Sequence, residues 1–242
     1  AEMKQIVDEI AAGLLAGKVS KGDRIALLCD SSPNWILADA AILAAGCVSV
    51  PRGTDVTDDD ILYILNHSES KIAIVMRPRD RTRLEGLKNK LPLLGTIVIL
   101  EDDGGKLATG PGSIAELRDQ GRQTPDLAHF IARKQQEINP DDLATLIYTS
   151  GTTGEPKGVM LAQTGWIRAI ERVMDRLQFT AEDRGITLLP PWHAFDRALE
   201  YGVISKGMDC LFTEPSRIKE DLFSFKPTVF PSVPRIWESV YN

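Results

Sequence analysis

Leu146-Ile-Tyr-Thr-Ser-Gly-Thr-Thr-Gly-Glu-Pro-Lys157-Gly158 is the stretch on which the reading of this chain turns. Residues 143–148 form an apolar run of β type. The run leads into a loop of small hydroxyl residues and glycines that closes on one lysine. Glycines leave backbone N–H groups free to face outward. Those donors, the threonine and serine hydroxyls and the Lys157 ammonium together suit a polyphosphate. Gly158-Val-Met-Leu161 then reads as a return strand, so the whole is strand, phosphate loop, strand.

The spacing excludes a Walker A loop. That motif needs a glycine before the lysine, a hydroxyl residue after it and a helix beyond. Here Pro156 precedes Lys157 and Gly158 follows it. Pro156 also withholds an amide where a helix N-terminal cradle would use one. A plain Ser/Thr/Gly hairpin with no ligand is the alternative, yet such a hairpin needs only about two to five turn residues.

On both sides of this loop, short apolar runs alternate with helical patterns. Strands are expected at 24–29, 47–50, 71–76 and 96–100. Helices are expected at 34–45, capped by Ser32 or Asn34, at 58–66, capped by Thr57, and at 81–91. Three aspartates sit at the positive end of the 58–66 helix. Further helical segments span 113–138 and 164–177, and Asn139-Pro140 separates the first from the loop region. Beyond them, strands are expected at 186–189, 210–213 and 228–233, with a helix at 217–225. Continuous apolar strands between helices argue for an α/β fold with a parallel or mixed sheet flanked by helices. The division falls into a lobe at 1–178 that carries the loop and the start of a second α/β lobe at 179–242.

Composition narrows the function classes. The 242 residues are 43% apolar, as in a folded domain, and carry a net charge of −6, so no nucleic-acid partner is expected. The basic cluster Arg77-Pro-Arg-Asp-Arg-Thr-Arg83 reads as a solvated helix start, with a peripheral contact to an anionic membrane as the second reading. Cys29, Cys47 and Cys210 form no metal-type pair and read as small buried residues, which fits a reducing, cytoplasmic setting. No apolar run approaches the roughly 18 residues that cross a bilayer, and no signal-peptide pattern stands at the start. The chain opens at Ala1 inside a helical pattern (Ile6, Ile10, Leu14), which reads as an internal start.

The loop Tyr148-Thr-Ser-Gly-Thr-Thr-Gly-Glu-Pro-Lys157-Gly-Val-Met-Leu161 resembles the signature loop of the adenylate-forming enzymes: acyl-CoA synthetases, non-ribosomal-peptide adenylation domains and luciferases. Gly22-Asp-Arg-Ile-Ala-Leu, Pro33-Asn-Trp35, Ala44-Ala-Gly-Cys-Val-Ser-Val-Pro51 and Pro190-Pro-Trp-His-Ala-Phe-Asp-Arg197 are similar to other segments of that family. Val233-Pro-Arg-Ile-Trp-Glu-Ser-Val-Tyr241 looks most like the long-chain fatty acid–CoA ligase branch. Three positions depart from the pattern: Gln163 stands where a histidine is usual, Asp196 where the branch often has glutamate, and Arg52-Gly-Thr-Asp-Val56 in place of a more aromatic stretch.

The resemblance implies the N-terminal part of an acyl-CoA synthetase large domain. It also implies a reaction in which a fatty acid or related carboxylate joins the α-phosphate of ATP, pyrophosphate leaves, and CoA attacks the mixed anhydride. By resemblance, Thr149, Ser150, Gly151, Thr152, Thr153, Gly154 and Lys157 hold the phosphates, Lys157 and Thr152 act on the departing charge, and Thr149 faces Mg²⁺. His193 lies in a segment that lines the nucleotide and acyl pockets. A carboxylate nucleophile is already ionised at neutral pH, so positioning suits His193 better than a base role. A packing histidine paired with Asp196 is the equal alternative. Trp192, Phe195 and Tyr201 are either acyl-tunnel or core aromatics. The family's later motifs, for adenine, ribose, a metal-binding glutamate and a mobile catalytic lysine, have no counterpart here. The chain is therefore expected to cover roughly the N-terminal half of the family's length and to be inactive by itself. Activation of an aryl or medium-chain acid, or a stand-alone nucleotide-binding half-domain, are the other readings.

Overall fold

The computed structural model describes residues 2–149 and 156–241, with backbone alone at 235 and 239–241. Two compact units meet in sequence between Gln163 and Thr164.

The first unit is built on a six-stranded sheet. Its strands are β1 (Arg24–Leu28), β2 (Val48–Arg52), β3 (Ile72–Val75), β4 (Thr96–Ile99), β5 (Leu143–Thr149) and β6 (Lys157–Ala162), in the order β4-β3-β1-β2-β5-β6. All pairings are parallel except β5–β6. The order reverses direction at β1. With right-handed crossovers, the helix after β1 and those after β2 and β3 cover opposite faces. Those helices are α2 (Pro33–Ala44), α3 (Asp58–His67) and α4 (Pro78–Leu87). One face matches this directly. Ala26, Leu28, Val50, Ala73 and Val75 pack there with Ile61, Ile64 and Leu65 of α3 and Leu84 of α4. Each large side chain buried this way contributes about 1.5–3 kcal/mol.

Local signals act as their chemistry requires. Ser32, not Asn34, caps α2: its Oγ accepts from Trp35 N at 3.1 Å and donates to the buried Glu101 at 2.6 Å. Asn34 instead donates to Glu101. Thr57 caps α3 by accepting from Asp60 N. The charged helix expected at 81–91 begins earlier, at Pro78, whose fixed φ suits a first turn, and passes into a 3₁₀ turn at Lys88–Lys90. The remaining helices of this unit are α1 (Glu2–Ala16), α5 (Ile114–Arg122) and α6 (Leu127–Gln136). Helices α1 and α5 cross in near backbone contact. A Cβ on Gly121 would lie 1.8 Å from the Glu9 carbonyl oxygen, and one on Gly13 would lie 2.0 Å from that of Leu117.

The second unit holds α7 (Gln163–Leu177), β7 (Arg184–Thr187), α8 (Ala194–Lys206), β8 (Asp209–Phe212), α9 (Ile218–Phe225) and α10 (Pro234–Tyr241). Strands β7 and β8 pair in parallel. Helix α7 falls with this unit, although the sequence reading put the division after residue 178. Its Trp166 packs edge-on against Tyr201 of α8, and its Met174 fills the space beside Gly202. Residues 228–233 were expected as a strand. They form only a single bridge, Gly185 to Val229. Pro227, Pro231 and Pro234 remove the amides a longer ladder would need.

Candidate functional site

The loop is carried by a hairpin on the rim of the first sheet. β5 is tied to β2 through the Ser49–Thr145 pair, where Thr145 Oγ1 donates to the Ser49 carbonyl at 2.8 Å. Ser49 in turn donates to the fully buried Asp39 at 2.6 Å. β6 then runs back antiparallel as the outermost strand, paired Ile147↔Val159, Tyr148↔Gly158 and Thr149↔Lys157. Thr149 and Lys157 are both exposed and face each other as the last pair before the loop. The sheet therefore presents one hydroxyl and one ammonium side by side. Ser150, Gly151, Thr152, Thr153 and Gly154 lie outside the described residues.

One pair behind that rim sits a cluster the sequence reading did not find. The Tyr148 phenol oxygen is 2.8 Å from His67 Nδ1 at the end of α3. His67 stacks on Tyr63 with centroids 5.4 Å apart and 18° between planes, and both meet Tyr148 edge-on. Burial, with a smaller contribution from Tyr63, pushes the Tyr148 phenol up to about 12, so it stays protonated.

In the second unit His193 is exposed and opens α8, its N–H donating to Pro190 O and its carbonyl accepting from Arg197 N. Its proposed partner Asp196 is turned inward. Asp196 is 1% exposed and accepts from Thr187 Oγ1 at 3.0 Å, and Glu200 Oε1 lies 3.0 Å from the same hydroxyl. Burial raises the Asp196 carboxyl to about 6, against the bonds from Thr187 and Glu200. Arg197 is fully buried, its guanidinium 4.9 Å from the Trp166 ring centroid. Of the aromatics, Tyr201 packs on Trp166, Trp192 lies near His193, and Phe195 is 60% exposed.

The basic cluster is largely committed to the fold. Arg77 reaches Asp103 O, Arg81 pairs with Glu85, and Arg83 binds Asp58 and Val56 O. All three cysteines are free thiols, and burial pushes Cys47 and Cys210 up to about 12. Among the described residues no group of three His, Cys, Asp or Glu side chains could hold a metal. Thr149 offers one oxygen beside a cation. This donor set, a hydroxyl beside an ammonium, has the chemistry of an anion site rather than of a metal held by the protein.

A lysine and a hydroxyl thus face each other at the open end of a sheet-edge hairpin in an α/β protein, a pairing whose chemistry suits an anion. The family model for the AMP-binding enzymes matches residues 1–242, and the chain belongs to that family. It is 32% identical over 252 residues to the long-chain-fatty-acid–[acyl-carrier-protein] ligase AEE15 of Arabidopsis thaliana, covering 100% of this chain and 34% of that protein. It is 31% identical over 245 residues to the long-chain-fatty-acid–CoA ligase FadD15 of Mycobacterium tuberculosis, covering 100% of this chain and 40% of that one. The crystal structure of a long-chain-fatty-acid-CoA ligase (FadD1) from Archaeoglobus fulgidus superposes with a TM-score of 0.83 at 20% identity, over 99% of this chain and 45% of that one, and so shares the fold. The chain thus spans between a third and two-fifths of the length of the curated relatives it matches. No helix among the described residues is long and apolar enough to cross a membrane.

Proposed function

We propose that this chain supplies the phosphate-binding side of an acyl-activating site, in which a long-chain fatty acid is adenylated by MgATP and then passed to a thiol. The observation that carries the reading is the Thr149–Lys157 pair, set at the mouth of a loop rich in amide and hydroxyl donors. When the carboxylate attacks the α-phosphate, negative charge grows on the departing pyrophosphate. Lys157 places a point charge on a flexible stem beside that leaving group. Thr149, with Ser150, Thr152 and Thr153 and the loop amides, donates to its oxygens, and these donors stabilise the transition state electrostatically. Mg²⁺, bound with the nucleotide, shares the same charge. His193 acts on this reading by positioning an oxygen, because the attacking carboxylate needs no base.

The relatives by name split between CoA and an acyl-carrier-protein thiol as acceptor. We propose a thioester-forming acceptor of that kind, with CoA the first to test. For the 242 residues by themselves we propose triphosphate binding without turnover.

The test is exchange of labelled pyrophosphate into ATP by the intact protein. A signal that depends on long-chain fatty acid supports the reading. Exchange that depends only on amino acids or aryl acids, or no exchange with any carboxylate, overturns it.

A further inference from the structure

Two strands can deliver Thr149 and Lys157 to one ligand only if their ends hold a fixed separation. β6 is the outermost strand of its sheet, with Val159 43% and Met160 70% exposed, so packing from above does little for it. The pair behind the rim is Tyr148↔Gly158, and it is unequal: one strand brings a large ring, the other no side chain. The ring lies over the glycine. A Cβ at Gly158 would sit 3.3 Å from Tyr148 Cζ and 3.5 Å from its Oη. Such a cross-strand aromatic–glycine pair pins register at a sheet edge. The far end of the ring is held as well, by the 2.8 Å bond to His67 and the edge-on contacts with Tyr63 and His67. His67 belongs to α3, whose Ile61, Ile64 and Leu65 are buried in the same core cluster as Tyr148.

We propose that Tyr148, held by His67, is a positioning residue that fixes the mouth of the loop, and that Gly158 is glycine so that the Tyr148 ring can cross β6. The proposal rests on the phosphate-binding role of the loop stated above. Tyr148 lies one pair behind Thr149 and Lys157, and its role is to position them. It references both loop ends to α3, and through α3 to the core. Loss of the hydroxyl leaves the ring buried but frees its tip, so Thr149 and Lys157 sample a wider range of separations and bind a triphosphate less well.

The experiment measures MgATP and magnesium pyrophosphate affinity by calorimetry on the intact protein, with KM and kcat for each half-reaction. Tyr148→Phe should weaken both ligands about five- to tenfold, the worth of one hydrogen bond. It should raise KM for ATP while leaving the thioester step within about twofold of wild type. His67→Leu should match it, and the double variant should be no worse than either single one. His67→Asn places an amide nitrogen near the position of Nδ1 and should restore affinity to within about twofold. Gly158→Ala, whose Cβ would press on the ring from 3.3 Å, should weaken binding in the same direction but less than Tyr148→Phe. If the wild type binds both ligands and Tyr148→Phe binds them equally well, or if His67→Asn fails to rescue while His67→Leu is impaired, the positioning role is overturned alone. If the wild type binds neither ligand, the phosphate-binding reading falls and this assignment falls with it.

Discussion

Glu9 and Asp23 in the first unit and Asp196 in the second are buried acids whose pKa values shift in opposite directions, and the contrast shows how their surroundings differ. In the first unit, burial would raise Glu9, but bonds from Arg122, Arg118 and Gln5 more than offset it, and its pKa falls. Asp23 behaves likewise, with Lys71 and the Ser20 amide as partners. In the second unit, Asp196 has a hydroxyl and another acid for neighbours, and its pKa rises to about 6. A buried carboxylate with cations beside it strengthens its fold as a charge. The same group buried with no cation among the causes that shift it is pushed toward its protonated form by desolvation. In the central strand β1 of the first unit the question does not arise, because Ile25, Ala26 and Leu27 are aliphatic and fully buried.

The largest expected break of this comparison is steric. Gly121→Ala drives a Cβ into the Glu9 carbonyl, which cannot move without separating α1 from α5. A loss of about 3 kcal/mol, the upper end for overpacking, is expected in urea denaturation. The protons come next. A pKa raised from about 3.9 to about 6 means that the folded state keeps a proton the unfolded chain gives up. This contribution to stability is therefore full below about pH 4 and lost as pH rises through 6. It amounts to on the order of 2–3 kcal/mol. Glu9 and Asp23 have the opposite sign: their contribution is present above their unfolded pKa and lost as pH falls through the lower folded one. Segment-resolved hydrogen exchange should show 184–187 and 194–206 gaining protection as pH falls from 7 to 4, while 24–28 and 114–122 hold theirs over that range and lose it only below about pH 4. Parallel slopes in both units would break the comparison, and Asp196→Asn should flatten the slope of the second unit only. A smaller effect is expected at Gly202. A Cβ there meets Met174 2.2 Å away, but at the end of a flexible side chain. Gly202→Ala should cost about 1 kcal/mol, well below Gly121→Ala, because methionine adapts. Thr57→Ala, which removes the cap of α3, should cost about 1 kcal/mol in thermal denaturation.

Most of the first sheet was legible because each of its strands is a continuous apolar run between capped helices, as at 24–28 and 72–75. The two strands that flank the loop were legible from the apolar runs on either side of it. The second unit was harder to read. Helix α8 begins after Pro190-Pro191 with no side-chain cap, and its inward face carries Asp196, Arg197 and Glu200, so no apolar stripe announces it. At 228–233 β-branched residues suggested a strand that the flanking prolines prevent. The Tyr148–His67 contact joins residues 81 apart in sequence, and no local pattern encodes it. The reading of His193 as a partner of Asp196 failed for a similar reason. The spacing was right for a helix turn, but Thr187, at the end of β7, donates to the carboxylate instead.

The central claim is that Lys157 serves the departing pyrophosphate. Rapid-quench kinetics on the intact protein with Lys157→Ala tests it directly, following fatty-acid adenylation and thioester formation from preformed acyl-adenylate separately. The account predicts that adenylation slows by about 10²–10³-fold, while the thioester step stays within a few fold of wild type. Equal loss in both half-reactions, or an unchanged adenylation rate, would contradict it.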